Sequence, residues 1–309
     1  MNENKSIIKS NLTSAILTFV FAFLISQIAL LFANIILAVI SKKFNIPLET
    51  VRSSFWAIGV LYLINQGTFF GVFLFMYKTR RPIFSDQLFA RPDPVICIIC
   101  VLSGVASLYL LSPVVNIAEW ALSLIPLQSS GLGFEINSIG RLIFSLFFLA
   151  LLPAVCEEFL FRGAIFNALR THSRKFAIVM TSLCFAVFHM SGYQFIYPIL
   201  FGLLLGLIMD KWGNIWYCIL THFFNNAIVL VSNYLSSGSI GAPGTTQIIL
   251  SVVCTIIFAL GIIGFSKIKY KLNMDYTSRE TVAQNPIGFW LGFAGMVAIW
   301  ILIFVTGIV

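Results

Sequence analysis

Charge is what this chain has least of. Asp, Glu, Lys and Arg make up 10% of its 309 residues, against roughly 25% in a soluble domain. No polar segment is long enough to build a second, water-borne domain, since the stretches at 77–94, 116–140 and 267–286 are loop-sized. That deficit excludes a soluble fold. No basic motif is interleaved with aromatics, which removes nucleic acid as a partner. A disulfide framework is not expected either, because Cys97, Cys100, Cys156, Cys184, Cys218 and Cys254 all fall within apolar runs. Cys97 and Cys100 form a CxxC, but inside "VICIICVLSGV" it reads as small apolar packing rather than redox or zinc chemistry. HExxH and GxSxG are both absent, and Ser182 and Ser191 have no nucleophile motif around them. There is no internal repeat or low-complexity tract.

What is present is apolar length. Hydrophobic residues are 59% of the chain and the mean hydropathy is +0.98. Runs fit to cross a bilayer lie at about 15–40, 54–76, 95–115, 141–170, 176–190, 195–209, 215–234, 247–266 and 287–308. The fifth and sixth are short and joined by "MSGYQ". The expectation is an all-α, polytopic membrane helix bundle of eight to nine transmembrane segments, with residues 1–309 as one integral membrane domain. The first run is too long for a cleaved signal peptide and no small-residue cleavage site closes it.

The basic residues, 19 against 11 acids, are distributed unevenly. With the N-terminus inside, Lys5, Lys9, Lys78, Arg80, Arg81, Arg91, Arg170, Arg174, Lys175, Lys211, Lys267, Lys269, Lys271 and Arg279 are cytoplasmic. Lys42, Lys43, Arg52 and Arg141 are outside. This asymmetry predicts a cytoplasmic N-terminus. Short loops, the lack of organelle signals and the Ile/Phe/Asn-rich composition point to a bacterial plasma membrane.

A few ionisable groups remain deep in the apolar runs: Glu157, Glu158, Arg162, His189 and His222. A charge at the centre of a membrane helix costs about 2.5–3.5 kcal/mol on insertion scales, which marks such residues as functional candidates. Glu158 and Arg162 are four apart and share a helix face, so they can pair. Glu157 points about 100° away and is left for another partner. His222 and Asn226 repeat the four-residue spacing in "THFFNNA", as do Phe185 and His189 in "FAVFH", where the aromatic can wall a site. Glu157 and His189 stand equally far from a turn near residue 173, roughly 24 Å along each helix. An antiparallel hairpin therefore places them side by side. Pro153 leaves the carbonyl of Leu149 without a helical partner just before the glutamates, which allows a kink.

One carboxylate, two imidazoles and an amide can activate a water and stabilise an oxyanion. In one version Glu157 is general base with help from His189, while His222 and Asn226 donate to the oxyanion. In the other, Glu157, His189 and His222 hold a divalent metal such as zinc that acidifies the water. The motifs "EEFLFR" (EExxxR), "FAVFH" (FxxxH) and "HFFNN" (HxxxN) follow one another on successive segments. In this order they resemble the CPBP family of intramembrane proteases, the CAAX-protease and bacteriocin-processing family also called Abi. The resemblance covers about residues 141–235. It implies an endopeptidase core there, acting on a membrane-embedded or lipid-anchored peptide or protein. The catalytic set it implies is Glu157, His189, His222 and Asn226, with Glu158, Arg162 and Phe185 in support; metal or no cofactor stays open.

Two other functions compete. Intramembrane Glu, His and Arg can form a proton or ion path, although inverted repeats are lacking. A non-catalytic membrane partner or immunity protein can use the same scaffold. Gly202 and Gly206 form a GxxxG that predicts close helix packing, and 116–127 carries Trp120, Leu124 and Leu127 at helical spacing along an interface.

Overall fold

The computed structural model describes residues 2–80, 83–123, 135–189, 195–236, 290, 293–295 and 297–298. Among these residues all regular structure is helical. α1 (Asn2–Phe44), a short α2 (Leu48–Arg52) and α3 (Phe55–Thr79) are followed by a 3₁₀ turn at Asp86–Phe89 and then α4 (Pro94–Ser123). The next helix is continuous over Ile139–Arg170. Within it α5 (Ile139–Ser145), α6 (Leu152–Glu158) and α7 (Phe166–Arg170) are separated by two π-helical stretches, Leu146–Leu151 and Phe159–Ile165. α8 (Arg174–Phe188), α9 (Ile196–Trp212) and α10 (Ile215–Ser236) complete the described bundle.

Five helical stretches are long and apolar enough to cross a membrane: Leu12–Phe44, Phe55–Thr79, Pro94–Ala118, Ile139–Arg170 and Ile215–Leu235. The count of eight to nine is not reached among the described residues, for two reasons. The runs at 176–190 and 195–209 do form helices, but α8 and α9 have only 15 and 17 residues. At 1.5 Å per residue each is about 22–26 Å long, short of the ~30 Å hydrocarbon core. The run at 247–266, Cys254 and most of 287–308 lie outside the described residues.

The Ile139–Arg170 helix is the central post. Leu160, Phe161, Ile165 and Phe166 are fully buried on it, meeting Phe19 and Phe23 of α1, Phe69 and Phe73 of α3, and Phe185 of α8. Outward faces stay apolar: Leu31, Phe32, Ile35 and Ile36 of α1 are more than half exposed. Such a continuous apolar exterior is stable in lipid and not in water.

Local sequence explains the joints. Ser173 caps α8 by accepting from the Phe176 N–H at 3.2 Å, which makes Thr171–Ser173 the hairpin turn. Gly213, at φ 65°, ends α9 in the left-handed region that favours glycine. Asn214 then accepts from the Trp216 N–H and starts α10. Two close approaches hold the helices in register. A Cβ on Gly202 would lie 3.0 Å from Ser182 of α8, so the GxxxG of α9 packs on that helix. A Cβ on Gly104 of α4 would lie 2.3 Å from the Thr221 carbonyl oxygen of α10.

Candidate active site

The π-helical stretch Phe159–Ile165 changes the pattern of paired carbonyls, and Asn167 answers locally. Its Nδ2 donates to the carbonyls of Arg162 (2.9 Å) and Gly163 (2.8 Å). Single-turn π segments recur at functional sites because they re-aim side chains within an otherwise regular helix. Here two of them bracket α6, which ends in Glu157 and Glu158.

The two glutamates have different surroundings. Glu158 is fully buried, and its Oε1 accepts from Arg162 Nη1 at 2.8 Å. The same oxygen lies 2.8 Å from His222 Nδ1. Arg162, also fully buried, donates from Nη2 to the Gly202 carbonyl at 3.3 Å and stacks over Phe185, 4.7 Å from the ring centre. Glu158 is therefore the centre of an Arg–Glu–His triad joining the central helix to α9 and α10. The sequence reading paired it with Arg162 alone and missed the imidazole. Glu157, half-buried, turns to a cavity of about 360 Å³. Gln66 Nε2 donates to its Oε1 at 2.8 Å.

That cavity is lined by Glu157, His189, His222 and Asn226 together with Tyr62, Asn65 and Gln66 of α3. A second cavity, of about 330 Å³, is lined by Phe185, Tyr197, Phe201 and Asn225. His189, His222 and Asn226 line both, so they stand where the two meet. A larger apolar groove of about 710 Å³ between α1 and α3 contains none of these residues.

The hydrogen bonds assign the rings. His189 follows the last residue of α8, and its Nδ1 is 2.9 Å from the Phe185 carbonyl. A carbonyl only accepts, so Nδ1 carries the proton and Nε2 of the neutral ring keeps a lone pair. His222 Nδ1 likewise donates, but to a carboxylate. The two histidines thus differ in what holds Nδ1, a backbone carbonyl for His189 and a buried carboxylate for His222. Phe185 separates them as a wall, 4.8 Å from the His189 ring and 5.7 Å from that of His222.

Asn226 Nδ2 reaches the Leu149 carbonyl at 3.5 Å, a long contact to an oxygen inside the first π-helical stretch. Asn225, given no role from sequence, donates to Gly104 O at 3.2 Å and Ser107 Oγ at 3.1 Å, and it also contacts the Tyr197 hydroxyl. It ties α10 to α4 and α9. Ser182 is spent on the Ile178 carbonyl at 2.7 Å, and Ser191 lies outside the described residues. Among the described residues no three His, Cys, Asp or Glu side chains stand close enough to share a metal ion. Glu157, His189 and His222 as placed do not make a three-donor site.

Residues 139–228 match the family model described as Type II CAAX prenyl endopeptidase Rce1-like. The chain carries a CAAX-protease-family domain. Its enzyme class is protease, and it is an integral membrane protein. Glu157, Glu158, Arg162, Phe185, His189, His222 and Asn226 all fall within the matched segment. Tyr62, Asn65 and Gln66 do not. They sit at i, i+3 and i+4 on α3, and the signal for them was the polar pair in "YLINQGTFF", inside an otherwise apolar run. No curated protein and no solved structure matches the chain.

Proposed function

We propose that this protein hydrolyses a peptide bond in a membrane-associated or lipidated substrate, using a water activated by Glu157. The water sits on the α3 side, beside the Glu157 carboxylate, and its proton passes to Glu157 with His189 Nε2 as the accessory acceptor. Its oxygen forms a bond to the carbonyl carbon, and the carbonyl π pair moves onto oxygen. The oxyanion is met by the His222 Nε2–H, backed by Glu158, and by the second Nδ2–H of Asn226. Collapse breaks the C–N bond, and the proton held by Glu157 goes to the leaving amine. The observation that carries this reading is the junction of the two cavities at His189, His222 and Asn226, with Glu157 in only one of them. That arrangement gives water and peptide separate approaches to one point.

The domain match suggests a prenylated C-terminal peptide as the first substrate to test. The N-terminus is assigned to the cytoplasm. Lys78, Arg80, Arg170, Arg174 and Lys211 lie at the ends of α3, the central helix, α8 and α9 that this orientation turns inward. The α8–α9 hairpin leaves and returns to the same side, so its shortness does not alter the orientation of α10.

The test is cleavage of a farnesylated CAAX peptide by proteoliposomes of wild type and Glu157→Ala. Loss of cleavage in the variant is expected. Equal cleavage by both would remove Glu157 from the chemistry, and a Glu157-dependent proton flux without cleavage would make the protein a transporter.

A further inference from the structure

Gln66 is 2% exposed, on the face of α3 that lines the Glu157 cavity. Its amide donates to Glu157 Oε1 at 2.8 Å, while its own Oε1 has no hydrogen-bond partner. The amide orientation follows from chemistry, because an ionised carboxylate only accepts and so must face the NH₂ end. A glutamine kept for helix cohesion would satisfy both ends, since an unpaired buried acceptor is destabilising. This side chain spends its one bond on the carboxylate and leaves the other end open. Glu157 in turn has one oxygen held and the other, Oε2, directed by that restraint.

We propose that Gln66 is a positioning residue for the reaction, supplied by α3 from outside the matched protease segment. It clamps Glu157 Oε1, so that Oε2 is the oxygen that takes the proton from water. The proposal rests on the hydrolytic reading above. Without the clamp, the carboxylate rotates about its χ angles and is less often in line with the water. A misplacement on the ångström scale can lower a rate by about 10²-fold. Substrate contacts are untouched, so the loss belongs to kcat.

The experiment compares wild type, Gln66→Met, Gln66→Asn, Gln66→Glu and Glu157→Gln in proteoliposomes, with a farnesylated, fluorescence-quenched CAAX peptide as probe. Thermal midpoints are measured on the same preparations. Gln66→Met keeps the shape and removes both polar ends. It is expected to lower kcat by about 10²-fold, to change KM less than threefold, and to leave the midpoint unchanged or raised. Gln66→Asn retains the donor on a shorter stem and recovers part of kcat. Gln66→Glu puts two carboxyls on one shared proton, so its rate depends on pH differently from wild type instead of recovering the wild-type profile. Wild-type kcat in Gln66→Met overturns the proposal, as does a kcat loss matched by a fallen midpoint. The two readings fail separately. If Glu157→Gln is inactive while Gln66→Met is fully active, only the positioning role falls. If Glu157→Gln cleaves like wild type, the hydrolytic reading falls.

Discussion

Glu157 and Glu158 are neighbours in sequence with opposite burdens, and substitution should separate them. Glu158 neutralises a fully buried Arg162 and holds His222, so Glu158→Gln leaves a buried cation without its counter-charge. Breaking such a pair costs about 3–5 kcal/mol, and the expected readout is a strongly lowered thermal midpoint in detergent. Glu157→Gln faces a cavity and should keep the wild-type midpoint while cleavage drops by roughly 10²–10⁴-fold. His222→Gln removes a proposed oxyanion donor, and kcat should fall by about 10²–10³-fold. Comparable midpoints for the two glutamate variants would mean that the triad does not hold the bundle.

At the scale of the helix, the site depends on how closely α4 and α10 approach. Gly104 abuts the Thr221 carbonyl, and one turn further on Asn225 bonds the Gly104 carbonyl. Gly104→Val must push the helices apart, because backbone cannot yield as a flexible side chain does. Overpacking of this kind costs about 1–3 kcal/mol. It should also move Asn226, which follows Asn225 on α10, so that activity falls even where the protein still folds. Gly104→Val with wild-type activity and midpoint would show that the contact is slack. At the other end of α9, Arg174 holds Asp210 by contacts of 2.6–3.1 Å and Arg170 adds a longer one of 3.6 Å. These pin the base of the α8–α9 hairpin while its tip carries His189.

For the whole molecule, the prediction concerns sidedness. In a cysteine-free background, a cysteine at Lys43 should react with a membrane-impermeant maleimide added outside intact cells. A cysteine at Lys175 should react only after permeabilisation. Both positions are exposed. The reverse pattern would invert the orientation and place the proposed proton-transfer cavity toward the other leaflet. Exposed apolar faces on α1, α3 and α4 also predict that activity returns on transfer from detergent to lipid, measured by peptide cleavage.

Composition and spacing alone determined that the chain is a helical membrane protein and that its deep charges cluster in one segment. Both follow from properties that survive without coordinates: every residue contributes to hydropathy, and helical periodicity puts residues four apart on one face. The hairpin joining Glu157 to His189 was legible for the same reason, since equal distances from a turn give equal depth. Tertiary structure decided the rest. That Glu158 serves Arg162 and His222 at once, and that Gln66 grips Glu157 across 91 positions, depends on helices packed side by side. No periodicity within one helix encodes which neighbour it meets. The membrane count was legible only as hydropathy, because the same apolar run suits a full span or a 15-residue helix buried against α9. Packing distinguishes them, since α8 takes its partners from protein where the outer face of α1 takes them from lipid.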